Sequence, residues 1–360
     1  MTTLKNNLAP TIHFPSKPEP ETAVPPSNNS YIALKKLIKQ KGFLDKQPRF
    51  LVYKMITNAI MLALSLVVLF STDNMWLQLL NAVFMAFVFG QTGFLAHDFG
   101  HRQGFQKTKY NNFFGLLHAN LLIGMSYNWW MFKHNQHHSH PNEIDFDPDI
   151  DMPIIAFSPH DVLDRRGIAR FFVKYQGYFF FFLLLFESYS LRSNSIVYLW
   201  QNRKQRHLYM GGLLMLLHAV WFFALVFMAL GVWYGLLFVI IQQAFFGLYM
   251  GSVFAPNHKG MLIVDPKNPL GFLEMQVLTA RNVKASPFAD FWYGGLNYQI
   301  EHHLFPTMAR NQLKEAQPII RSFCEQHNIS YYETSIVQSY REILGYLHEI
   351  SAPLRERVPA

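Results

Sequence analysis

The sequence predicts an all-α integral membrane protein, with four transmembrane helices in two hairpins and a cytoplasmic helical cap that holds a histidine-rich site. Three observations predict it. Four long apolar runs are present, every cation lies outside them, and the clustered histidines all fall on the side where the cations lie. Although 51% of the 360 residues are hydrophobic, mean hydropathy is only +0.07. Apolar residues gathered into a few runs, with an ordinary polar body between them, produce that combination.

Residues 1 to about 30 carry six prolines among small polar residues and no apolar core of signal-peptide type. A flexible tail is expected there, followed by one domain over residues 31–360. The apolar runs are Leu51–Phe70, Trp76–Ala96, Met210–Leu230 and Tyr234–Phe254. Each approaches the ~20 residues that a helix needs to cross a bilayer core. The intervening "STDNM" and "GVW" are too short to hold a domain, so each pair of runs forms a hairpin.

All 31 Lys and Arg lie in residues 1–54, 102–207 and 257–360. Two hairpins with every cation on one side satisfy the positive-inside rule, which places both termini and the three basic segments in the cytoplasm. Two shorter apolar runs, Phe113–Met125 and Gly177–Phe186, are short for crossing. They are expected at the interface or against the protein.

The histidines follow from this topology. His97 and His101 of "HDFGH" end the second run, and His134, His137 and His138 of "HNQHH" lie in the central basic segment. His258 follows the fourth run, while His302 and His303 of "QIEHH" lie in the C-terminal segment. On a helix, residues three or four apart share a face, so each box can converge on one point. Adjacent histidines point about 100° apart, and two doubled pairs therefore suggest two metal ions. The single Cys324 rules out a thiolate cage, leaving nitrogen and oxygen as ligands.

Other features receive blander readings. His118 and His218, alone in apolar runs, are expected to be packing residues; His13, His140, His160, His207, His327 and His348 look like loop or surface positions. The "DFDPDID" loop has Ile150 and Ala156 where a calcium-binding EF-hand needs Gly and Glu. Its carboxylates, together with Asp98 and Glu301, are better suited to a structural role or to orienting imidazoles through their second N–H. The basic residues Arg203, Lys204 and Arg206 suit an acidic redox partner, a CoA or phospholipid headgroup, or anionic lipid at the membrane surface. Trp129, Trp130, Trp292 and Tyr293 are candidates to line a substrate tunnel or to pack against the bilayer. No nucleic-acid partner is expected.

Eight imidazoles suit iron, copper or zinc, and no H-E-x-x-H protease motif occurs. Two metals at a membrane surface point to oxygen activation. The boxes "HDFGH", "HNQHHSHPN" and "QIEHHLFP" resemble the three histidine boxes of the membrane fatty acid desaturases, and the resemblance runs from about Leu51 to Leu347. Gln299 stands where many members have a further histidine, as in the glutamine variant of the third box.

The resemblance implies that His97, His101, His134, His137, His138, His258, His302 and His303 hold two ferrous ions. Gln299 and Asn257 would be ligands, water-mediated contacts or outer partners. It further implies that O2 and two external electrons convert adjacent methylenes of an acyl-CoA or acyl-lipid into a cis double bond. No H-P-G-G haem motif of a fused cytochrome b5 domain occurs, so a separate ferredoxin or cytochrome b5-like donor is implied. The alternatives are a fatty acyl hydroxylase or other membrane di-iron oxygenase, and a non-catalytic metal-binding sensor.

Overall fold

The computed structural model describes residues 28–356. The expected tail lies outside that range except for residues 28–30, which open helix α1 (Asn28–Gln40). Next comes a hairpin of α2 (Pro48–Ser71) and α3 (Met75–Gly100). Pro48 sits in the first turn of α2, where its missing N–H costs nothing. Asn74 caps α3 by accepting from the amides of Trp76 and Leu77.

Polar side chains hold this hairpin together. Asn58 donates to Thr92 at 2.6 Å, and Ser65 donates to Asn81 at 2.7 Å; inside an apolar pair such bonds act as glue. The other flank of α2 carries exposed Val52, Ile56, Ile60, Leu64 and Val67. An apolar stripe of that length suits lipid, not water.

Helix α4 (Thr108–Leu116) continues into a π-helical turn, Leu117–Leu122, and α5 (Tyr127–Ser139) follows. Short helices α6 (Pro159–Asp164), α7 (Gly167–Lys174) and α8 (Gln176–Leu184) lead to α9 (Glu187–Gln201). The two shorter apolar runs thus become α4 with its π-turn, packed on α3, and α8, packed on a helix near the C-terminus. Neither is long enough to cross a bilayer.

Helix α10 (Tyr209–His258) extends over 50 residues but is interrupted at Gly231, whose φ of 67° and ψ of −176° are not helical. The two arms fold back on each other. A Cβ at Gly235 would lie 2.5 Å from the Phe227 ring, and Phe222 and Phe246 both pack on Phe89. Among the described residues three helices, α2, α3 and the α10 stretch from Arg206, have the length and composition to span a membrane. Tight packing of α3 on α10 needs a missing side chain: a Cβ at Gly90 would fall 2.2 Å from the Tyr249 ring.

The remaining chain forms α11 (Phe272–Leu278), β1 (Asn282–Val283), α12 (Pro287–Trp292), α13 (Gln299–Leu304), α14 (Arg310–Gln326), β2 (Glu333–Thr334) and α15 (Ile336–Ile350). The parallel pairing of β1 with β2 is an addition to the all-α expectation. It gives the backbone groups of the extended link between α11 and α12 their partners. A second core of Leu34, Ile38, Val277, Ile300, Leu304, Leu313 and Ile320 packs α1, α11, α13 and α14 together, apart from the spanning helices. The boxes lie between the two layers.

Candidate metal centre

Four elements supply the histidines. His97 and His101 occupy the last turn and C-cap of α3, and His134, His137 and His138 lie on α5, whose N-terminus is capped by Ser126 accepting from Trp129 N. His258 closes α10, and His302 with His303 sits on the fully buried α13. The sequence-predicted set is brought together.

Two groups form. His97, His101, His134 and His302 make one, and His137, His258 and His303 make the other; in each, one ring nitrogen per residue lies within 4.8 Å of all the rest. The adjacent His302 and His303 therefore fall into different groups. The His138 ring stands between them, 4.8 Å from His302 and 4.3 Å from His303.

The first group does not make sense as hydrogen bonding alone. His134 Nε2 lies 2.9 Å from His101 Nε2 and 3.0 Å from His138 Nε2, and His97 Nε2 lies 3.2 Å from His302 Nε2. A single ring nitrogen either donates one proton or offers one lone pair. At most one of the two contacts at His134 can be a hydrogen bond. These separations match the edge of a coordination polyhedron with metal–nitrogen bonds of ~2.0–2.1 Å, for which about 2.9–3.4 Å is expected. His303 Nε2, buried and without a hydrogen-bond partner, adds to the case.

In the second group the outer ring nitrogens are anchored. His137 Nδ1 donates to Asp147 (3.0 Å to Oδ2), His258 Nδ1 to the Thr279 carbonyl (3.0 Å) and His303 Nδ1 to Gln276 Oε1 (2.9 Å). This sets one tautomer in each ring and turns Nε2 inward as a lone-pair donor. Gln299 touches the group through its carboxamide, 2.9 Å from His258 Nε2, and accepts from Asn257 Nδ2 at 3.0 Å.

Electrostatics favour neutral imidazoles. Burial, reinforced by neighbouring imidazoles, pushes His101, His134, His138, His302 and His303 well below the usual histidine range. Their lone pairs are thus available at neutral pH. His137 is the exception: burial opposes its protonation, but the Asp147 and Asp149 carboxylates outweigh that and raise it. The Asp149 carboxylate also pairs with Lys133 at 2.7 Å.

The remaining expected partners are placed as follows. Asp98 lies 3.6 Å from His97 Nδ1 and accepts from Arg310 Nε at 2.7 Å. Glu301 turns away from the rings and accepts from Asn282 and Tyr331, both at 2.6 Å, so it braces α13 against β1. Burial pushes its carboxyl up to about 7. Trp130 stacks on His134 with ring centroids 4.3 Å apart, whereas Trp292 packs on Tyr249, away from the centre.

His118 is anchored by the Phe114 carbonyl and His218 by that of Leu121; both stand outside the groups. His160, His207, His327 and His348 are exposed. His13 lies outside the described residues. Sequence reasoning missed Gln276, Thr279, Arg310 and Asn142. Asn142 alone left a signal, the "HPN" after the second box; its side chain donates to the carbonyls of His258, Leu262 and Thr279.

Apolar helices and an inward-facing imidazole cluster define a membrane protein with a metal site. The fatty acid desaturase family model matches residues 74–335, which include all eight histidines, and the chain belongs to that family. It is 32% identical over 340 residues to an acyl-lipid (9-3)-desaturase of Physcomitrium patens, covering 90% of this chain and 63% of that protein. A Delta(6)-fatty-acid desaturase of Caenorhabditis elegans is 29% identical, covering 91% of this chain and 76% of its own length. A Delta(8)-fatty-acid desaturase of Borago officinalis is 27% identical, with 86% and 72% covered. The chain thus spans less than two thirds of the Physcomitrium protein.

Proposed function

We propose that this chain is an O2-dependent fatty acyl desaturase that introduces a cis double bond into an acyl-CoA or acyl-lipid chain. The observation that carries the reading is the convergence of eight imidazoles, seven of them in two groups with His138 between, in a chain of this family that carries long apolar helices.

His97, His101, His134 and His302 would hold one iron, and His137, His258 and His303 the other, with His138 between them. When bound, the two ferrous ions supply O2 activation. The balance is one O2, two electrons and two protons, with two hydrogens leaving adjacent methylenes, to give the alkene and two waters. A ferredoxin or cytochrome b5-like protein delivers the electrons. Asp147, Gln276 and the Thr279 carbonyl hold the rings of the second group in the ligating tautomer, and Gln299 keeps His258 and Asn257 in register. The Trp130 indole covers His134 and keeps water from that side.

Residues 31–360 act as one domain. The reversal at Gly231 makes α10 two passages, so the chain crosses the bilayer four times, with the termini and the metal centre in the cytoplasm. Cations confined to residues 1–54, 102–207 and 257–360 support that orientation.

The test is the fatty acid profile of aerobic cells expressing the chain, by gas chromatography–mass spectrometry with double-bond location, beside His302→Ala. A new cis alkene at one fixed position, absent with the variant, is expected. A hydroxy acid would move the assignment to hydroxylation. An alkene made equally well by the variant would refute the assigned centre.

A further inference from the structure

We propose that the groove between α9 and the first arm of α10 is a binding site for one acyl chain of a membrane glycerophospholipid, with its phosphate at Arg203. The cavity measures about 820 Å³, within the ~300–1,000 Å³ of ordinary small-molecule sites. One wall is α9 from Tyr189 to Trp200, and the other is α10 from Tyr209 to Phe223. At 1.5 Å per residue these walls run about 17 and 21 Å, enough for a chain that fills one leaflet, half of the ~30 Å hydrocarbon core.

The polar groups are placed at the two ends. At the inner end Arg192 donates to Gln243 Oε1 at 2.6 Å and to the Ile123 carbonyl at 2.8 Å, and His218 Nδ1 donates to the Leu121 carbonyl. Those groups are held by the protein and the walls are aliphatic and aromatic, so the groove suits an alkyl chain better than a polar ligand.

At the outer end Arg203 stacks over Trp200 at 4.8 Å and gives one N–H to the Trp200 carbonyl. A guanidinium has five such donors, and Lys204 and Arg206 follow it in an exposed turn. An exposed indole and phenol, Trp200 and Tyr209, flank these cations, the arrangement found at headgroup level. Charge and apolar length together specify an anionic headgroup on a hydrocarbon chain.

The site rests on the bilayer reading of the helices and not on the desaturase reading. Gly212 lines the groove, and a Cβ there would meet nothing within 4 Å. Gly212→Phe therefore fills the groove from a helix position that tolerates a side chain.

In nanodiscs, a phosphatidylglycerol with a diazirine on its acyl chain should label α9 and residues 209–223. Gly212→Phe should lower that labelling at least fivefold and leave labelling of α2 unchanged. Arg203→Gln should lower labelling by the phospholipid but not by a neutral diacylglycerol carrying the same chain. Groove labelling unaffected by Gly212→Phe, or no denser than on α2, would overturn the site. Absence of labelling on α2 as well would instead overturn the bilayer reading on which the site rests.

Discussion

Asp147→Asn changes one atom, and its effect can be worked through from the contacts. Asp147 Oδ1 accepts from Asp149 N at 2.9 Å, Oδ2 accepts from Asn142 N at 2.7 Å, and His137 Nδ1 lies 3.1 and 3.0 Å from the two oxygens. All three partners are donors. In asparagine either flip aims an NH2 at one of the backbone amides, leaving a buried N–H without an acceptor at about 1–3 kcal/mol.

The His137 ring also loses the carboxylate that sets its tautomer. Outer-partner losses of this kind lower metal affinity about 10–100-fold, or about 1.4–2.7 kcal/mol. Metal per chain, measured by inductively coupled plasma mass spectrometry after dialysis against graded chelator, should show the midpoint moving by that factor. Asp151→Asn, in the same loop but exposed, should leave it in place. A wild-type midpoint for Asp147→Asn in a folded protein would refute the orienting role.

Two further outcomes are expected. Gly231→Ala should lower the thermal unfolding midpoint in detergent, because φ 67°, ψ −176° is a glycine conformation that costs other residues about 1–3 kcal/mol. No neighbour lies within 4 Å of the added Cβ, so an unchanged midpoint would mean the arms do not reverse through this torsion. Burial, with help from Glu301 and Glu325, pushes the Cys324 thiol up to about 12. At pH 8 only about one molecule in ten thousand would carry a thiolate, and maleimide should label Cys324 after unfolding in dodecyl sulfate but not before; rapid native labelling would contradict its burial.

The sequence by itself determined what local composition and spacing control. Runs 51–70 and 76–96 lie inside α2 and α3, and "GVW" marks the break at Gly231, because a bilayer-length apolar helix is a property of about 20 consecutive residues. Five of the histidines were legible for the same reason, because i, i+3 and i, i+4 spacing aligns His97 with His101 and His134 with His137 and His138 before any tertiary contact exists, whereas His258, His302 and His303 were marked by their place after a run and by doubling. The bracing around them was not. Gln276 reaches the His138 carbonyl across 138 positions, and Arg310 reaches Asp98 across 212. Neither residue carries a mark in its own neighbourhood. Glu301 sat inside a box yet turned to Asn282 and Tyr331, because a short buried helix presents its faces according to what packs on each. Partner choice among distant segments is decided by how α3, α5, α10 and α13 come together. That assembly, which splits His302 from His303 and sets His138 between the two groups, belongs to the tertiary structure.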